Sequence, residues 1–395
     1  MIDKADTIFI LVCAVAMLLM IPALEKVCEK RRSGRVWVSF GAVIVIWAFW
    51  GFSFAYGKDH IGLIGGGEYL FLNYVSCSPI ASFGETIPPL AFFMLQAVVS
   101  CITVVLASSA VSTRLNQKAY FLFVILWSIL VYIPFVHMIW GGGLLSQIGF
   151  LDYGGGAAIH ICAGFSVLAT GLFIGKRESA GNVAGESDYS GISFAILLLG
   201  WIVCNSSSGI GNGSAFLYSA VNTMFSAVTG ILVWYILDMM RNKGETSLSV
   251  KRGCLAGVAG IAAGAAYVTP LIAFVIGVIV SLVCYFCMDR KDFFLAASGR
   301  EIWIPHGVGG LTGTILLAVF ADPVLCVLPH IRGRQLIVQA GGAYAVAIGA
   351  FFVTWLIMLI ISRIFSSYLA EEEDQMIGEQ ILKERKKMFG GMKEL

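Results

Sequence analysis

Eleven apolar runs, most of about 18 to 25 residues and separated by short charged segments, dominate this chain, and runs of that length cross a hydrocarbon core of ~30 Å as helices. They fall near 7–25, 36–56, 87–110, 119–139, 156–175, 191–209, 214–238, 253–268, 270–288, 304–321 and 337–363. Only 13% of the 395 residues are charged, against ~25% in ordinary soluble domains, while 58% are hydrophobic. A chain with so little charge cannot cover its apolar surface in water, so lipid is its solvent. The expected fold class is an all-α polytopic membrane protein located in the cell membrane. A net charge of +2 with no basic domain argues against a nucleic-acid partner.

The basic residues set an orientation. Lys26, Lys30, Arg31, Arg32 and Arg35 crowd the first connection, Arg114 and Lys118 the third, and Lys176 and Arg177 the fifth. Arg241, Lys243, Lys251 and Arg252 follow in the seventh, and Arg290, Lys291 and Arg300 in the ninth. The even connections carry little beyond Lys58, Arg332 and Arg334, so the positive-inside rule predicts the N-terminus outside and the C-terminus inside. The first run lacks a basic n-region and a small-residue cleavage site and reads as a retained helix. Most of the ten cysteines lie within apolar runs and read as small buried side chains. Cys77 and Cys326 fall in connections on the same expected side, where a bridge between them is one reading and free thiols the other.

Ionisable groups at membrane depth are functional-site candidates by default. His160 lies in GGGAAIHICAG of the fifth run and His306 in IPHGVGGLTG of the tenth. These are the last runs of two successive sets of five, where inverted repeats would bring equivalent elements together, and both histidines have glycines nearby for close backbone approach. The alternatives are two structural histidines or a bis-histidine haem; zinc fits poorly because no third or fourth ligand is evident at depth. Asp152 precedes Gly154-Gly155-Gly156 and reads either as a carboxylate at a helix N-terminus or as a source of negative potential where a cation enters. Trp140, beside Gly141-Gly142-Gly143, is either an interfacial anchor or a cation–π platform. The polar stretch Trp201 to Gly209 would be costly facing lipid, and is expected to break the sixth helix or line a polar vestibule.

The stretch YIPFVHMIWGGGLLSQIGFLDYGGGAAIHICAG, from Tyr132 to Gly164, closely resembles the signature of the ammonium transporter family (Amt/Mep/Rh). ADTIFILVC, WGFSFAYG, LQAVVSCIT, GWIVCNSSSG, Thr269-Pro270, PHGVGG and QLIVQ extend the resemblance from residue 5 to about 365. It implies eleven transmembrane helices as two inverted five-helix repeats plus a final helix, a homotrimer, and ammonium or ammonia as substrate, with no cofactor and no enzymatic activity. It also implies an outer ammonium site including Trp140 and Ser208, supported by Asp152, and a pore lined by His160 and His306. The aromatic that completes the family's cage aligns with Val99, and a second gate phenylalanine aligns with Cys204. Neither offers a ring, so the cation–π contribution falls to Trp140 alone.

Other departures are Ala23-Leu24-Glu25-Lys26 in place of a Gly-rich turn, a single Glu301 where the family has an acidic pair, and a charged tail unlike the family's. The expected organisation is a transmembrane domain over 1–365 and a cytoplasmic charged helical tail over 366–395. From Ala350 to Ile377 there is no Gly or Pro, so the last helix is expected to run out of the membrane unbroken. Ile377, Ile381 and Met388 then share one face, which is either a partner-helix signal or part of a solvated helix. Two functions follow. The first is ammonium transport. The second is an ammonium receptor in which a cytoplasmic signalling partner or module reads the motion of the last helix; a gas channel or haem protein stands behind both.

Overall fold

The computed structural model describes residues 2–28, 34–80, 83–175, 191–209, 213–242, 247–288, 295, 297–326 and 329–370. Nine helical stretches among them are long and apolar enough to cross a membrane. These are α1 (Lys4–Leu24), α2 (Arg35–Tyr56), α3 (Pro89–Ser112), α4 (Gln117–Gln147), α5 (Gly156–Ile174), α7 (Ala215–Met240), α9 (Pro270–Met288), α10 (Gly299–Phe320) and α11 (Arg332–Ile364). A shorter apolar helix, α6 (Gly191–Ser207), and α8 (Ser247–Ile261) occupy the remaining two predicted stretches. By length and composition, then, nine of the eleven expected spans meet the criterion, and the other two are helical but shorter or less apolar. Outside the helices, β1 (Asp59–His60) and β2 (Ile64–Gly65) pair antiparallel in a small hairpin after α2.

Local signals start the helices where the sequence provides them. Asp3 accepts from the backbone N–H groups of Ala5 and Asp6 at 2.7 and 3.1 Å, and Asn116 accepts from Ala119 at 2.9 Å. Pro89 sits in the first turn of α3, where its missing N–H costs nothing. The exposed faces of α1 and α11 carry Ile8, Val12, Val15, Phe352 and Leu356, as expected of surfaces solvated by lipid.

Apolar side chains gain little by leaving lipid, so helix association rests on close contact and buried polar bonds. The glycines supply the contact. A Cβ on Gly313 of α10 would fall 1.7 Å from the Gly260 carbonyl oxygen of α8, and one on Gly230 of α7 would fall 2.0 Å from that of Gly253. Polar bonds supply the rest: Trp127 Nε1 of α4 donates to Ser166 Oγ of α5 at 2.8 Å and to Thr354 Oγ1 of α11 at 3.2 Å. Asn222 of α7 donates to the carbonyls of Ala265 and Val268 at 2.7 Å each, satisfying the turn that follows α8.

One expectation is corrected here, and two open alternatives are narrowed. α11 ends at Ile364, and Phe365 is extended (φ −110°, ψ 114°), so the helix does not continue toward Ile377. The cause is a competing partner: Leu369 forms a bridge with Leu115, the N–H groups of Asn116 and Ala370 bond to the carbonyls of Tyr368 and Arg114 at 2.9 Å, and Asn116 Nδ2 donates to Ser367 O. Residues 366–370 are therefore not helical, and the rest of the expected tail lies outside the described residues. Cys77 and Cys326 are both free, the first exposed and the second buried. The Trp201–Gly209 stretch does not break α6, which stays helical through Ser207 with Asn205, Ser206 and Ser207 turned into the protein.

Cys77 is the one exposed cysteine among those described. With the second connection outside, a membrane-impermeant maleimide should label right-side-out sealed vesicles and lose its signal in Cys77→Ser. Labelling only after permeabilisation would reverse the assigned orientation.

Candidate functional site

His160 and His306 are fully buried, and each lies in a π-helical segment, Gly156–Ile161 of α5 and Trp303–Val308 of α10. Such segments displace the hydrogen-bond ladder and are frequent at functional sites. Glycines set the crossing of the two helices. A Cβ on Gly164 would lie 2.4 Å from the Gly307 Cα, and one on Gly310 would lie 2.9 Å from the Gly156 carbonyl oxygen and 3.0 Å from His160 Cβ. At this separation the imidazoles meet edge to edge, Nδ1 to Nδ1 at 2.8 Å, with ring planes 15° apart. Trp201 of α6 lies over the pair, its ring centroid 4.6 Å from that of His160 and 6.1 Å from that of His306.

The contact restricts the protons. One Nδ1 must donate and the other accept, so a neutral pair has one Nε2 with a free lone pair and one Nε2 that bears hydrogen. His160 Nε2 is buried without a protein partner. The couple therefore presents one acceptor and one donor, and the rings exchange parts only when the shared proton and the Nε2 proton both move, because moving the shared proton alone would leave an imidazolate beside an imidazolium. Among the described residues no group of three or more His, Cys, Asp or Glu side chains could hold a metal ion. Direct imidazole contact also leaves no room for a haem iron between the two rings, against the bis-histidine reading.

The structure places the other sequence candidates less uniformly. Trp140 ends the main helical part of α4 and is half-buried, its Nε1 donating to the Asp152 carbonyl oxygen at 2.7 Å. That bond fixes the indole plane against the start of α5. Asp152 is buried and acts as a helix-start acceptor: Oδ1 takes the Gly155 N–H at 3.0 Å, and Oδ2 takes those of Ala157 and Ala158 at 2.9 Å each. Gly155, at φ +92°, supplies the left-handed turn that folds the backbone over the carboxylate. Gln339 of α11 holds the segment from outside, donating to Leu151 O at 2.9 Å and accepting from Leu151 N at 2.7 Å. Ser208 is exposed just past the end of α6. Val99 is buried in α3, and Cys204 is buried in α6.

Sequence reasoning passed over His137, a third histidine at helix depth, and Asp59 in the hairpin. His137 is fully buried with Nε2 2.9 Å from Asp59 Oδ1 and Nδ1 3.0 Å from the Ala55 carbonyl oxygen. The hydrogen bond from His137 is the main cause holding the Asp59 carboxyl below its ordinary range; burial opposes it, and bonds from Gln147 and the Gly62 backbone add to it. The signal was available, since an ionisable residue within an apolar helix is itself a flag.

Apolar helices around a buried, directly bonded histidine couple define a multi-pass membrane protein. The chain belongs to the Ammonium Transporter Family, which it matches over residues 8–387. It is 31% identical over 338 residues to "Ammonium transporter Amt1" of Archaeoglobus fulgidus, covering 81% of this chain and 82% of that one. The crystal structure of Candida albicans Mep2 superposes with a TM-score of 0.84 at 27% identity, covering 94% of this chain and 87% of that one. A structure described as "Sensor Amt Protein" shares the fold, with a TM-score of 0.82 at 22% identity over 94% of this chain and 96% of that one.

Because Asp152 accepts three backbone N–H groups, Asp152→Asn should lower stability by ~1–3 kcal/mol even without ligand. Thermal unfolding in detergent measures this. An unchanged midpoint would show that those three bonds contribute nothing to the fold.

Proposed function

We propose that this protein moves ammonium across the membrane, and that the His160–His306 couple lines the narrow part of its path. The observation that carries the reading is the 2.8 Å Nδ1–Nδ1 contact within a bundle of otherwise apolar helices. A bare cation at mid-membrane is expensive. A neutral couple with one free lone pair and one N–H suits ammonia, itself a donor and an acceptor, far better than a hydrated ion. Ammonium therefore gives its proton to water at the entrance before ammonia meets the couple, and a current requires that proton to cross as well.

Outside it, the Trp140 face, the Ser208 hydroxyl and the potential of Asp152 form the ammonium site. Ammonium is a tetrahedral donor close to potassium in size, and directed acceptors with an aromatic face distinguish the two better than a carbonyl ring does. Val99 and Cys204, carried over from the family resemblance, flank this entrance without offering a ring. The protein acts as a homotrimer, each protomer with its own path.

Sensing is the second reading, and the absent rings at Val99 and Cys204 favour it: without an aromatic gate, binding is retained while turnover is slowed. Its other support weakens, because α11 stops at Ile364 instead of continuing as one rod toward a cytoplasmic signalling partner. Electrogenic current on solid-supported membranes, together with rescue of growth on low ammonium, tests transport. Binding with neither current nor rescue would leave the receptor.

Two outcomes follow at the entrance. With Trp140 as the sole ring, Trp140→Leu should cost ~0.5–2 kcal/mol of ammonium binding by calorimetry, while Cys204→Ala should cost much less. Equal losses would place the site elsewhere. Ammonium flux should be slow relative to binding and should rise in the Val99→Phe/Cys204→Phe double variant. Rapid flux in the unmodified protein would remove any role for the missing rings.

A further inference from the structure

The Trp-Gly-Gly-Gly turn after α4 is built around His137. A Cβ on Gly141 would lie 2.6 Å from His137 Nδ1 and 2.0 Å from the Ala55 carbonyl oxygen. One on Gly143 would lie 3.0 Å from His137 Cδ2 and 2.7 Å from the Gly62 carbonyl oxygen. The two glycines thus let the segment from Ala55 to Gly62 lie across the end of α4 with the imidazole enclosed between them. The chain past Trp140 also hangs from this residue, since the N–H groups of Gly141 and Gly143 both donate to the His137 carbonyl at 3.0 Å.

Hydrogen-bond accounting fixes the protons on this ring. The Ala55 carbonyl only accepts, so Nδ1 donates. Asp59 takes three donors, His137 Nε2 at 2.9 Å, the Gly62 N–H at 3.0 Å and Gln147 Nε2 at 3.1 Å, and an ionised carboxylate suits all three. Nε2 therefore donates as well, and a ring that donates from both nitrogens carries its second proton. The other charged groups nearby lie on the hairpin: Lys58 and His60 flank Asp59, and Glu68 accepts from the Lys58 N–H at 3.3 Å. From α2 the Ala55 carbonyl accepts from the ring, and from α4 itself the neutral Gln147 approaches the same carboxylate.

We propose that His137 is a positioning residue: as an imidazolium bonded to Asp59, it clamps the 57–66 hairpin onto the end of α4 and so fixes Trp140, three residues along the same helix. The clamp needs both partners in their charged forms, the carboxylate to accept and the ring to donate from both nitrogens, so taking a proton from the ring or adding one to the carboxylate opens it. Asp59→Asn removes the need for that proton, because an amide can donate to the Nε2 of a neutral ring. The clamp stands on geometry alone; only its effect on binding rests on the ammonium site proposed above.

The test uses the full chain in nanodiscs with ¹⁵N-labelled histidine and tryptophan. The His137 signal is assigned by its loss in His137→Gln, and the Trp140 indole signal by its loss in Trp140→Phe. At pH 7 the unmodified protein should show both His137 nitrogens protonated, and Asp59→Asn should show a neutral ring. Methylammonium, which stays protonated further into the alkaline range than ammonium, should bind at least about fivefold more weakly once the clamp releases on the alkaline side, and Asp59→Asn should lose that limb.

A neutral His137 at pH 7 in the unmodified protein would overturn the proposal. So would an alkaline limb that survives in Asp59→Asn. If methylammonium does not bind at any pH, the ammonium reading fails, and the Trp140 indole signal decides the clamp: it should shift with the His137 titration, and a signal that ignores that titration overturns the coupling. Asp59 is about one-third exposed (30%), so its replacement should fold; if Asp59→Asn cannot be purified, the joint titration of His137 and Trp140 in the unmodified protein is decisive.

Discussion

The crossing of α5 and α10 is the constraint on which the rest depends. Two backbones that meet within the reach of a Cβ, at Gly164 against Gly307 and Gly156 against Gly310, leave no freedom in how their side chains meet. The histidines one turn away are then forced into direct contact. The neighbouring helices keep that contact dry and aligned, Trp201 from one side and the Trp127–Ser166–Thr354 bonds by tying α5 to α4 and α11. In lipid, where burying an apolar side chain brings little, this division between glycine contacts and a few polar bonds is how a bundle acquires one arrangement instead of many.

Much of this was legible in the sequence, for a physical reason. Hydrocarbon permits so few backbone solutions that each apolar run falls on helix among the described residues, nine of them long and apolar enough to span, and the rarity of charge at depth made His160 and His306 conspicuous. Less legible was whatever depended on tertiary partners. Asp152 had two readings from sequence, and the structure shows its carboxylate occupied by backbone N–H groups, which the segment only supplies once Gly155 turns left-handed. The uninterrupted run from Ala350 to Ile377 has the propensity to continue as helix, yet the backbone of residues 114–116 offers a competing partner and wins. His137 was hidden by its company, since in a stretch resembling a family signature it read as part of a word and not as a charge.

The couple and the hairpin clasp divide the polar chemistry of the protein into two unlike kinds. At His160 and His306 the two groups are identical in kind, so an exchange of donor and acceptor roles in which two protons move together leaves the pair neutral and changes its energy little. At His137 and Asp59 the partners differ in kind, and the proton has a strongly preferred home. The first arrangement suits a group that must change partners repeatedly; the second suits one that must stay put.

A bare helix start is an anion trap, because its first N–H groups point outward without acceptors. α5 begins beside Trp140, and its first N–H groups would draw chloride or phosphate to that place and set a positive field there. Asp152 permanently fills that trap from within the chain. Its charge cancels the helix end first, so the carboxylate serves the mouth twice, by the negative potential that remains and by removing a competitor of opposite sign. Selectivity at such a mouth begins with the ions that find nowhere to sit.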